Sequence, residues 1–203
     1  MIEDFGGRIA TVWSELRPTT RGLLERALQP ANVASTQARS VPYDSRADLE
    51  LSRFLAALDD RVSQADASLD REKSDWLRRI AETCAAMLQE KTQSAEVFAQ
   101  LVRRAGVQRD YRRIDALADA LTLRFAPSEI CELARSQDTV VRALANEALA
   151  QFPTTVLLGL LSDPVDSEIA RDALQRQATD YGSEEARQIV NALDQVDITG
   201  EDL

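Results

Sequence analysis

Between Arg103 and Leu174 the chain repeats one pattern three times, and nothing else limits its possible folds as much. Read from an aspartate, the copies are Asp110–Leu121 (DYRRIDALADAL), Asp138–Leu149 (DTVVRALANEAL) and Asp163–Leu174 (DPVDSEIARDAL). Each opens with Asp and closes with an acidic residue followed by Ala-Leu, and the aspartates step by 28 and then 25 residues. Such a period is expected when helical pairs stack into an array, because one pair is too small to bury its own apolar face. The recurring side chains fit that scheme. Leu117, Ala145 and Ala170 share one position, and Ala120, Ala148 and Ala173 share another. Alanine beside leucine lets neighbouring helices approach closely while leucine fills the space between them. Asp110, Asp138 and Asp163 stand where each second helix should start, as structural caps for unpaired N–H groups, contributing about 1 kcal/mol each. Asp119, Glu147 and Asp172, just before the Ala-Leu pairs, are read as structural too.

Composition extends the helical reading to the whole chain. Only 7 glycines and 6 prolines occur in 203 residues, and no run of alternating β-branched residues competes, so the fold class is all-α. Ile2, Phe5, Ile9, Val12, Trp13 and Leu16 form one helical stripe over 2–17, delayed by Gly6 and Gly7 and ended by Pro18. A short helix over 20–28, capped by Thr19 or Thr20, precedes a loop at 30–44. Ser45 to Asp48 reads as a variant capping box. After it, residues 46–91 form one long helix or a hairpin of two, with the hairpin favoured. Ser94 caps a helix over 94–105 that Gly106 closes. The repeat region pairs first helices (94–105, 127–135, 153–162) with second helices (110–124, 138–151, 164–178). Pro127 and Pro153 fit first turns, and Asp163-Pro164 reads as cap plus first residue. Gly182-Ser183 opens a last helix with Ala186, Ile189, Val190 and Leu193 inward. The expected organisation is 1–45, an N-terminal hairpin and loop; 46–93, a hairpin or long helix; 94–195, the repeats; and 196–203, an acidic, frayed end.

The segment Leu133–Leu149 (LARSQDTVVRALANEAL) resembles a HEAT-type repeat, in which an aspartate-containing turn leads into Val-Arg and then small residues. The prolines ahead of Ile130 and Val156, at a period near 25, are similar to the shorter leucine-rich-variant repeats. The resemblance covers residues 94–178. Val141-Arg142 carries the Val-Arg pair in the middle copy, where the others have Arg113-Ile114 and Asp166-Ser167. It implies a right-handed stack of helical hairpins, a short HEAT-like α-solenoid with an N-terminal helical appendage. It also implies an extended surface for binding another protein.

Charge separates the chain into two parts. Residues 1–126 carry 19 basic and 19 acidic side chains, whereas residues 127–203 carry 5 basic and 15 acidic ones. The acidic half repels phosphate backbones and anionic membranes and suits solubility or a basic partner. Against it stands RRAGVQRDYRR, residues 103–113, with Arg103, Arg104, Arg109, Arg112 and Arg113 beside Tyr111. Arg112 and Arg113 sit in the first turn of a helix, where positive charge is disfavoured by about 0.3–1 kcal/mol each. Helix N-termini also bind anions. This turn is therefore the candidate site for a carboxylate, a phosphate or an acidic partner segment. The alternative is internal pairing of the arginines with Glu96, Asp115, Asp119 or the acidic last repeat.

Several chemistries are not supported. With no histidine there is no His general base, no Ser-His-Asp triad and no histidine metal site. Cys84 and Cys131, far apart, read as buried reduced thiols and cannot alone hold zinc. Gly6-Gly7 lacks the strand and lysine of a phosphate loop. Trp13 and Trp76 read as core or interface aromatics. No run nears the roughly 18 apolar residues of a membrane span, and MIEDFGGRIA lacks the features of a secretory leader. The expectation is a cytoplasmic, non-catalytic protein–protein scaffold or adaptor without cofactor or metal. Its partner is another protein, homo-oligomerisation is compatible, and nucleic acid is disfavoured. Phosphate or nucleic-acid binding through 103–113 is the second reading.

Overall fold

The computed structural model describes residues 2–29, 44–64 and 70–200. Among them all regular structure is helical, with no strand: a 3-10 turn at Ile2–Phe5 and eleven α-helices. The expected loop at 30–44, apart from Asp44, lies outside the described residues, as do 65–69 and 201–203. Packing divides the chain into two compact units, Met1–Leu101 and Val102–Leu203.

The first unit contains α1 (Gly7–Glu15), α2 (Pro18–Ala27), α3 (Ser45–Ser63), α4 (Arg71–Lys91) and the start of α5 (Ala95–Gln108). Gly6, at φ 126, breaks the expected first helix into the 3-10 turn and α1, a conformation side chains rarely adopt. The stripe survives the break, because Phe5, Ile9, Trp13 and Leu16 are all buried. Trp13 meets Phe54 of α3 with ring centroids 5.3 Å apart. Pro18 begins α2 as well as ending α1, so that helix starts two residues before the position expected at Thr20. Thr20 is no cap; it is buried and donates its hydroxyl to Glu50.

Residues 46–91 form two helices. Asp44, one residue before the expected Ser45, caps α3 by accepting from Arg46 N at 3.0 Å and Ala47 N at 3.4 Å. Asp70 caps α4 through Lys73 N at 2.8 Å. Helices of 19 and 21 residues are about 30 Å long, and a seven-residue connection reaches only about 23 Å, so packed neighbours must run antiparallel. The Cys84 thiol donates to Leu51 O at 3.3 Å across that contact.

The second unit contains the end of α5 and α6 (Tyr111–Arg124), α7 (Pro127–Ala134), α8 (Thr139–Ala150), α9 (Thr154–Leu160), α10 (Ser167–Thr179) and α11 (Glu184–Gly200). Helix α6 packs on α8 and α8 on α10, while α7 lies against α8 and α9, and α10 also meets α9 and α11. The equivalent positions are buried: Leu117, Ala145, Ala170, Ala120, Ala148 and Ala173, together with Leu121, Leu149 and Leu174. Val141 is buried, and Arg142 turns back to donate to Ser136 O at 2.8 Å. Gln177 of α10 donates to Ala150 O and Phe152 O, satisfying carbonyls at the end of α8. In α11, Ala186 and Val190 are buried and Ile189 and Leu193 half-buried.

Two caps conform and one does not. Asp110 accepts from Arg113 N at 3.1 Å, and Asp138 from Val140 N at 2.9 Å and Val141 N at 3.1 Å. Asp163 instead sits in a turn, accepting from Val165 N at 2.8 Å, and α10 begins at Ser167 with Asp166 in the cap position. The Asp166 side chain makes no cap bond. It is drawn to Arg135 at the end of α7, at 2.7 Å, where that guanidinium also reaches Val165 O. A charged partner outcompetes a backbone N–H for a buried carboxylate. Pro127 occupies the first turn of α7 as expected, whereas Pro153 lies just outside α9. No helix among the described residues is long and apolar enough to cross a membrane.

Candidate functional site: an arginine-rimmed corner

The arginine-rich turn joins α5 to α6 within the second unit. Gly106 does not close α5 but lies inside it, with the helix running on to Gln108. Closure falls to Arg109, at φ 56. Arg109 N donates to Gly106 O at 3.1 Å and Asp110 N to Ala105 O at 2.9 Å. That pair of bonds is a Schellman closure, whose left-handed residue is usually glycine. An L-residue there carries a steric cost of roughly 1–2 kcal/mol.

The structure sorts the candidate side chains. Arg104 is only 8% exposed and donates to Gln108 Oε1 at 3.2 Å, so it belongs to the interior of α5's packing. Arg113 lies with Nε 3.6 Å from Asp110 Oδ2, so the capping carboxylate also draws in the guanidinium that the helix dipole disfavours. Arg103, Arg109 and Arg112 are exposed and, among the described residues, form no ion pair. Tyr111 is 68% and Val107 86% exposed. Arg103 and Val107, four residues apart on α5, share one face. The turn is thus a corner with an aromatic and an aliphatic side chain in solvent beside three guanidinium groups. Val107 escaped the sequence reading, although it stands off the buried stripe of Val97, Phe98, Leu101, Val102 and Ala105.

Such a surface can bind. Guanidinium groups pair bidentately with carboxylates and phosphates, and arginine and tyrosine dominate energetically important interface positions. Its one carboxylate, Asp110, is engaged by its own helix, accepting from Arg113 N. The thiols are elsewhere: Cys84 and Cys131 are buried, and burial first, then Asp166, pushes Cys131 up to about 11. No group of three or more Cys, Asp or Glu among the described residues could hold a metal ion.

In the first unit a cleft of about 830 Å³ opens beside the start of α4, lined by Phe5, Trp76, Arg79 and charged side chains. Arg79 lies 5.9 Å over the Trp76 ring, and Trp76 Nε1 is buried without a hydrogen-bond partner among the described residues. Of its charged lining, Lys73 pairs with Asp70 at 3.3 Å, and Asp75 pairs with Arg78 outside the cleft at 3.5 Å. No family model, curated protein or solved structure matches the chain.

Proposed function

We propose that the chain is a non-catalytic interaction protein that binds a protein partner through the α5–α6 corner, with the helices of the second unit stacked as a short HEAT-like array. The observation that carries this reading is the set of Arg103, Arg109 and Arg112, which no acid answers among the described residues, around exposed Tyr111 and Val107. Leaving a strained L-residue at the turn instead of glycine supports it. Backbone strain concentrates where a side chain is needed. The array reading is supported by the neighbour order of α6, α8 and α10, and by the turn-back of Arg142 on Ser136 after buried Val141. The partner segment that suits the corner is acidic, and a basic partner suits the surface of residues 127–203. A second reading, phosphate or nucleic-acid recognition by the same arginines, has the guanidinium chemistry in its favour and the chain's net charge of −10 against it.

The test is affinity capture from the native cell with the wild-type chain and a variant carrying Arg103→Glu, Arg109→Glu, Arg112→Glu and Tyr111→Ala, read by mass spectrometry. The variant, folded by circular dichroism, should lose the specific partners, and those partners should elute from the wild type as salt rises. An unchanged partner set sinks the reading.

A further inference from the structure

The second unit is electrically polar along its sequence. Residues 102–126 hold six arginines and three acids, whereas residues 127–203 hold five basic and fifteen acidic side chains. The imbalance is steepest from α11 onward. Glu184, Glu185, Asp194, Asp197, Glu201 and Asp202 face a single base, Arg187, and are interleaved with Val196 and Ile198. Internal pairing uses part of this charge, because Arg187 pairs with Glu184 at 2.6 Å and Arg171 with Asp194. Glu185 is exposed and forms no ion pair among the described residues. The chain therefore carries both a basic, partly apolar corner and an acidic, partly apolar segment of complementary chemistry.

We infer that the occupant of the corner is a second copy of this chain, which docks by its acidic segment, residues 184–202, on Arg103, Arg109, Arg112, Val107 and Tyr111. The inference rests on the corner being a binding surface, as proposed above. Symmetry limits the form of the contact. A two-fold contact made by one surface alone would set corner against corner or acid against acid, and like charges at close range repel. Opposite charges meet either head-to-tail or in a two-fold contact that sets each copy's corner on the other's acidic segment. Among the described residues α11 packs on α10, and α10 and α8 stand between it and α6 in the order of contacts. A reciprocal two-fold contact stops at a dimer, whereas head-to-tail contacts extend with concentration unless the rotation between copies closes a ring.

The test is sedimentation velocity of the full chain up to about 200 µM, at about 0.05 M and about 0.5 M NaCl, where the Debye length falls from over 10 Å to a few ångströms. The wild type should grow with concentration at low salt, and association should weaken about tenfold or more at high salt. Two charge-reversed variants, R103E/R109E/R112E and D197K/E201K/D202K, should each be monomeric alone, since each makes its two contact surfaces alike in sign. Mixed in equal amounts they should associate again, because each then offers the other an opposite charge. A monomeric wild type at low salt, association indifferent to salt, or a mixture that stays monomeric overturns the inference. If the wild type is monomeric while the corner variant still loses its cellular partners, only the choice of occupant is wrong. If those partners also persist, the corner itself is not a binding surface.

Discussion

Arg109 shows at the scale of one residue how local rules yield to context. Among the described residues it is the one non-glycine with positive φ, three positions after a glycine that could have served as the stop. Gly106 stays helical and α5 runs on to Gln108, whose Oε1 accepts from the buried Arg104 at 3.2 Å. Replacing Arg109 with glycine should therefore relieve strain and raise unfolding stability by about 0.5–1 kcal/mol, read from the urea midpoint. The same change should weaken binding at the corner. An unchanged or lower midpoint would show that the Arg109 side chain makes stabilising contacts that outweigh the strain. Arg104 gives the complementary lesson. In the sequence it is indistinguishable from Arg103, yet one residue of rotation, about 100° on a helix, carries it from solvent into the interior.

At the scale of elements, helix existence was legible and helix ends were less so. The 3.6-residue apolar period marks α3, α4 and α5 plainly, because burial of a stripe needs only the right spacing. Ends are set by competition between acceptors. Asp44 takes the cap from Ser45, and Asp166 is held by Arg135 while Asp163 closes a turn three residues early. A single sequence shows both candidates but not which one a distant cation reaches.

Glu50 joins elements in the same way. It accepts from Arg17 N at 3.2 Å, from Arg17 Nε at 2.6 Å and from the Thr20 hydroxyl, fixing the α1–α2 reversal on α3. Burial pushes the Glu50 carboxyl up, but the bonds from Thr20 and Arg17 together hold it below its ordinary value. Asp44, hydrogen-bonded to the same guanidinium, is lowered as well. A carboxylate depressed on folding contributes stability above its unfolded value, near 4.3 for Glu, and that contribution is lost as pH falls through the folded value. Glu50→Gln should therefore lower the urea midpoint at neutral pH and flatten its decline below about pH 5 relative to wild type. Parallel acid limbs in the two proteins would rule out a folded-state role for this carboxylate.

Over the whole molecule, charge is the property most directly carried by the sequence. A chain of net charge −10 with a single basic turn should not retard duplex DNA in a gel shift at about 0.15 M salt, where nonspecific binding depends on many released counterions. A shift that disappears on reversing Arg103, Arg109 and Arg112 would favour the phosphate reading over the protein partner. The helical class, the spacing of the copies, the caps at Asp110 and Asp138 and the polarity of charge all follow from the sequence alone. Each depends on local spacing or on a sum over residues, and neither needs a partner from elsewhere in the chain. The corner did not follow in that way. Which arginines stay in solvent, which is buried and which is paired, and that Val107 and Tyr111 remain uncovered, were decided by tertiary packing. Exposure and pairing are selections among competing neighbours, and only the folded chain brings those neighbours together.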